Sequence, residues 1–97
     1  MELRVRLGGV LDGSRAMELL QVLDRWATGE VILDFFGIRC FEPFGAEVLI
    51  RGLGGLRQGG ARIRCSGLPP CVAERLKEQE IEVAGFRGRP RWAPWVP

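Results

Sequence analysis

Ninety-seven residues are enough for one domain with one core and too few for two. With 46% hydrophobic and 27% charged residues the composition is that of a soluble globular chain, and no apolar run approaches the roughly 18 residues of a membrane span. The net charge of +2 is unevenly placed: residues 1–84 carry 11 basic and 12 acidic side chains, whereas residues 85–97 carry three arginines and no acid. There is no histidine, which removes Ser-His and Cys-His catalytic pairs and the usual base at neutral pH. Cys40, Cys65 and Cys71 have neither Cys-x-x-Cys nor zinc-ligand spacing, so they are expected as buried, reduced thiols, with no metal and no cofactor. The opening Met-Glu-Leu-Arg-Val-Arg-Leu lacks the architecture of a signal peptide, and the cytoplasm is the expected location.

Glu2 to Leu7 alternates strictly and predicts a half-exposed strand with Glu2, Arg4 and Arg6 on its polar face. Gly8-Gly9 is then expected to turn the chain. Ser14 is the expected N-cap of a helix whose apolar positions are Ala16, Leu19, Leu20, Leu23, Trp26 and Ala27, stopped by Thr28-Gly29. Val31, Ile32, Leu33, Phe35 and Phe36 form a near-continuous apolar run interrupted by Asp34, the pattern of a strand over 30–36 covered on both faces, followed by a sharp loop. Pro43 suits the first turn of a second helix, with Phe44, Val48, Leu49, Leu53 and Leu56 on its inner side. Ala61 to Cys65 alternates again, Pro69-Pro70 opens a short third helix with Val72, Ala73 and Leu76 inward, and residues 81–83 fit a last strand. Strands alternating with helices require parallel pairing and right-handed crossovers. The expectation is an α/β domain over residues 1–84, with a mixed, mostly parallel sheet of four to five strands and about three helices, followed by an irregular tail over 85–97.

Residues 31–45 resemble the strand-loop-helix of STAS domains, the family of bacterial anti-sigma-factor antagonists, stressosome proteins and anion-transporter tails. That pattern runs apolar-apolar-Leu-Asp, two residues, Val, then Asp-Ser-Ser-Gly, and it aligns here without a gap. Gly9-Val10-Leu11-Asp12 is similar to the family's Gly-x-Leu-Asp, and Gly67-Leu68-Pro69-Pro70-Cys71-Val72 with Leu76 to its Gly-x-x-Pro-x-Val…Leu. The departure is at the centre: Glu42-Pro43-Phe44-Gly45 stands in place of Asp-Ser-Ser-Gly, so a phenyl ring replaces the hydroxyl that the family's kinases phosphorylate. The family's long last helix is also missing.

The resemblance implies a non-enzymatic module that binds a protein, of the anti-sigma-factor or kinase-like class, through Asp12, Glu42, Phe44 and Gly45. Asp12, Asp34 and Glu42 are expected near the carboxyl ends of the strands, where α/β sheets place ligands, or as plain caps of loops and helices. Ser14, Ser66 and Thr28 are the only hydroxyl side chains left as phosphorylation candidates. The tail interleaves Arg87, Arg89 and Arg91 with Trp92 and Trp95, a composition that stacks on nucleobases, on a protein groove or on its own domain. The tail is expected to be ordered, against the sheet rim or in a homodimer. An alternative of another class is nucleic-acid binding by Arg4, Arg6, Arg62 and Arg64 on one sheet face with the tail; three tail arginines argue against strong binding.

Overall fold

The structure is a computed structural model that describes residues 2–25 and 29–84. Strands β1 (Glu2–Leu11), β2 (Glu30–Phe41), β3 (Arg62–Ser66) and β4 (Glu82–Ala84) alternate with helices α1 (Gly13–Asp24), α2 (Pro43–Gln58) and α3 (Pro70–Glu78). Among the described residues the sheet has four strands in the order β1-β2-β3-β4, and every pairing is parallel. With sequential order and right-handed crossovers, all three helices fall on one face.

The strand alternation shows which face that is. Leu7, Val31, Leu33, Phe35, Ile63 and Cys65 point under the helices and join one continuous core with Leu19, Leu49, Leu53 and Leu76. Even-numbered residues over 2–6, 30–36, 62–66 and 82–84 point the other way, and that face is open among the described residues. Parallel sheets are usually covered on both sides. Among the described residues the apolar run of β2 has helices over one side only, and on the other side Ile32 is half-buried and Phe36 is 52% exposed.

Gly8-Gly9 does not turn the chain. β1 continues through it to Leu11, and β2 runs on to Phe41 where a loop was expected, the two pairing as Gly8↔Gly37, Gly9↔Ile38, Val10↔Cys40 and Leu11↔Phe41. Two register shifts insert extra residues into β2. The first reverses its alternation, so that Ile38 rather than Gly37 points into the core. β1 and β2 thus project beyond β3, whose pairing with β2 stops at Asp34↔Ser66.

The helices differ from expectation in detail. Asp12, not Ser14, caps α1, its Oδ1 accepting from Arg15 N at 2.9 Å. Trp26, Ala27 and Thr28 lie outside the described residues, as does the whole tail with Arg87, Arg89, Arg91, Trp92 and Trp95. α3 begins at Pro70 and buries Val72, Ala73 and Leu76 as its spacing indicates. Cys65 is buried, whereas Cys40 on the β1-β2 projection and Cys71 in the first turn of α3 are exposed, with no described element packed over them.

Candidate functional site

The carboxyl ends of β1 and β2 carry the start of α1 and of α2 side by side. Glu42 N donates to Leu11 O at 3.0 Å, which fixes the entry to α2 beside the exit of β1. Gly45 is buried in that joint. A Cβ there would lie 2.5 Å from Leu11 O and 2.6 Å from Asp12 C, both main-chain atoms, so the two helix starts touch only because position 45 has no side chain.

Asp12, Glu42, Phe44 and Gly45 are brought together as the sequence indicated. Phe44 was expected on the inner side of α2, however, and is 68% exposed, while Gly45, Leu49, Ile50, Leu53 and Gly54 take the buried side. The ring leans across to α1: a Cβ on Gly13 would sit 2.6 Å from Phe44 Cδ2. Phe41, on the other side of Glu42-Pro43, turns inward and packs on Phe35 with ring centroids 5.9 Å apart. Glu42 occupies the N-cap position of α2 without making a side-chain cap bond and is exposed, two residues before Phe44. The backbone-accepting role expected for that carboxylate is not what the structure shows.

Asp34 does not belong to this site. It lies seven positions before Phe41 on β2, roughly 20 Å of strand. Its Oδ1 accepts from Phe36 N at 2.9 Å, and Arg6 lies 3.6 Å from Oδ2 on the open sheet face. The three acids therefore do not converge, and among the described residues no cluster of three His, Cys, Asp or Glu side chains is placed to hold a metal ion. Burial pushes the Cys65 thiol up to about 12, which keeps it protonated and unreactive.

Two features escaped the sequence reading. Arg15 donates to Gly8 O at 3.1 Å and Val10 O at 3.5 Å, so its guanidinium covers outward carbonyls of the edge strand β1 and ties α1 to the projecting end of that strand. Glu47 accepts from both Arg75 terminal nitrogens at 2.8 and 3.0 Å and from Arg51 Nε at 3.1 Å, joining α2 to α3. The i,i+4 spacing of Glu47 and Arg51 was legible; the partner on α3 needed the fold.

Arg4, Arg6, Arg62 and Arg64 do share the open sheet face, in the register Arg4↔Ile32↔Arg64 and Glu30↔Arg62. The same face carries Glu2, Glu30, Asp34 and Glu82, and Arg4–Glu2, Arg6–Asp34 and Arg64–Glu82 are ion pairs. Among the described residues the face is balanced in charge rather than basic, which weakens its field for phosphate. No helix among the described residues is long and apolar enough to cross a membrane.

No curated protein matches the chain. A family model described as "Mlab, STAS domain" matches residues 1–86, which span every described strand and helix and include the altered Glu42-Pro43-Phe44-Gly45 segment. With the strand-helix order, the Gly45 joint and that match in agreement, the chain belongs to the STAS domain family, whose members are generally non-enzymatic interaction modules.

Proposed function

We propose that this STAS domain binds a protein partner through the surface formed by Asp12, Glu42, Phe44 and Gly45, and that phosphorylation does not switch it there. The observation that carries the reading is Phe44: a large ring, 68% exposed, stands in the first turn of α2 where the family pattern has a hydroxyl. Exposed aromatic side chains are frequent anchors of protein interfaces. Glu42 beside it supplies an acidic rim, which suits an apolar pocket edged by basic groups on the partner. Gly45 contributes to this surface by holding the two helix starts together so that Phe44 rests over Gly13. Regulatory proteins of the anti-sigma-factor or kinase-like class are the partners that family membership favours. With no hydroxyl at positions 42–45, affinity and partner concentration set occupancy rather than phosphate transfer to this segment.

The test is quantitative affinity capture with the parent protein, Phe44→Ala and Glu42→Gln side by side. A protein enriched by the parent and reduced by about tenfold or more with Phe44→Ala is the expected result, a loss of at least about 1.4 kcal/mol. Equal capture by parent and variant, or recovery of nucleic acid alone, would overturn the reading.

A further inference from the structure

β1 is an edge strand of the described sheet and, at ten residues, a long one. Leu7 O lies against Gly37 and Leu11 O accepts from Glu42 N, so the odd-numbered carbonyls of β1 face β2. The even-numbered ones face outward, as Gly8 O and Val10 O do where Arg15 covers them. The amide and carbonyl of one strand residue point the same way, so Glu2, Arg4 and Arg6 present theirs along the edge, uncovered among the described residues. Edge strands are commonly blunted by proline, lysine or a bulge. Residues 2–6 contain neither residue type, and the register shifts begin only after Arg6. The same edge has an apolar flank. α1 runs back along β1, and Val22 stands two turns on from Arg15, on the side of the helix that reaches the edge. Val22 is 49% exposed, with exposed Glu18 and Arg25 one turn before and after it. Leu3 and Val5, partly buried, lie on the helix side of the sheet.

We propose that this edge pairs with the same edge of a second copy about a two-fold axis, joining two sheets into one through antiparallel β1 strands. Charge selects the register. With the axis at Arg4, Glu2 lies opposite Arg6 of the second copy and Arg6 opposite its Glu2, and all three open residues become hydrogen-bonded. Arg4 then faces Arg4 of the second copy, and each keeps Glu2 of its own chain as ion partner. Sliding the strands until Arg4 meets Arg6 sets like charges together twice and brings Glu2 against Gly8, whose carbonyl Arg15 already holds. On the helix side Leu3 packs beside Val5 of the second copy, and the axis turns Glu18 toward Arg25 across the two Val22 side chains. A two-fold interface must complement itself. An acid and a base on either side of a central residue do so on the strand and again on the helix. The Phe44 surface lies at the other end of β1 and stays open in both copies, so the proposal does not depend on what binds there.

Sedimentation velocity of the full chain over a range of concentrations is expected to show a monomer–dimer equilibrium. Arg4→Pro removes an N–H that points away from β2, so the domain keeps its own ladder, and the dimer dissociation constant should rise about tenfold or more. Glu2→Arg should weaken the dimer as well, and adding Arg6→Glu should restore it, which damage to the fold would not do. In a dimer mixed from labelled and unlabelled chains, a nuclear Overhauser contact between the α-protons of Leu3 and Val5 in different copies is expected from this register. A chain that stays monomeric, a dimer of equal affinity in the folded Arg4→Pro protein, or a charge swap that restores nothing would overturn the proposal. Slowed amide exchange at Arg4 and Arg6 in a particle of monomer mass would also overturn it, assigning the edge to another strand.

Discussion

Gly45 and Phe44 are neighbours in sequence with opposite duties. Gly45 is structural: the nearest atoms to an added Cβ belong to the backbone of Leu11 and Asp12, which cannot rotate away as a side chain would. Gly45→Ala is therefore expected to destabilise the domain by about 1–3 kcal/mol, the range of overpacking in a closed site, and urea denaturation followed by circular dichroism measures it. Phe44 is exposed, so its removal should leave stability within about 0.5 kcal/mol of the parent. Loss of binding with Phe44→Ala then reports on recognition and not on unfolding. The type of residue at these positions was legible in the sequence, including the missing hydroxyl. The direction of the Phe44 ring was not: helical spacing groups Phe44 with Val48, which is only half-buried, whereas Gly45 lies one turn before Leu49 and takes the buried position in the joint.

At the scale of elements, the tie between α2 and α3 is electrostatic at the surface and apolar beneath. The Arg75 guanidinium first, and then Arg51, holds the Glu47 carboxyl well below the usual range, at about 2 rather than 4.5. A carboxyl whose folded value is depressed adds stability that is fully present above its unfolded value and is lost as pH falls through the folded one. The contribution of Glu47 is thus expected to fade between about pH 4.5 and about pH 2. In Glu47→Gln the acid limb of the stability curve should be flatter in that window, and stability at neutral pH lower, as read from urea midpoints across pH. The pair is exposed, so salt should weaken it in the parent. β1 and β2 make the complementary case: their joint projection past β3 carries Asp12 and Glu42 away from the charged sheet face, which separates the proposed partner surface from Asp34.

At the scale of the molecule, three same-sided helices leave a sheet face with Arg4, Arg6, Arg62 and Arg64 set among Glu2, Glu30, Asp34 and Glu82. Such a face should not bind single-stranded oligonucleotide measurably at physiological salt in fluorescence anisotropy. Neutralising it with Glu2→Gln, Asp34→Asn and Glu82→Gln should create weak binding, with a log-log salt slope of roughly −0.7 per phosphate contact. Binding by the parent with a steep slope would show that the carboxylates do not mask the arginines.

The sequence by itself determined the alternation of β1 and β3, the proline starts of α2 and α3, the order of elements and the family segment over residues 31–45. Each is a local pattern, in which side-chain period or a restricted φ acts within a few residues. Only the tertiary structure decided that Gly8-Gly9 stays in a strand, because two glycines read as a turn until a bulged partner is set beside them. A Cβ at Gly37 would come 2.6 Å from Leu7 O, so the pairing of β1 with β2 is what requires glycine there. Tertiary structure likewise separated Asp34 from Asp12 and Glu42 and gave Glu47 its partner Arg75. These outcomes depend on which distant segment arrives alongside, and no residue's intrinsic preference carries that information.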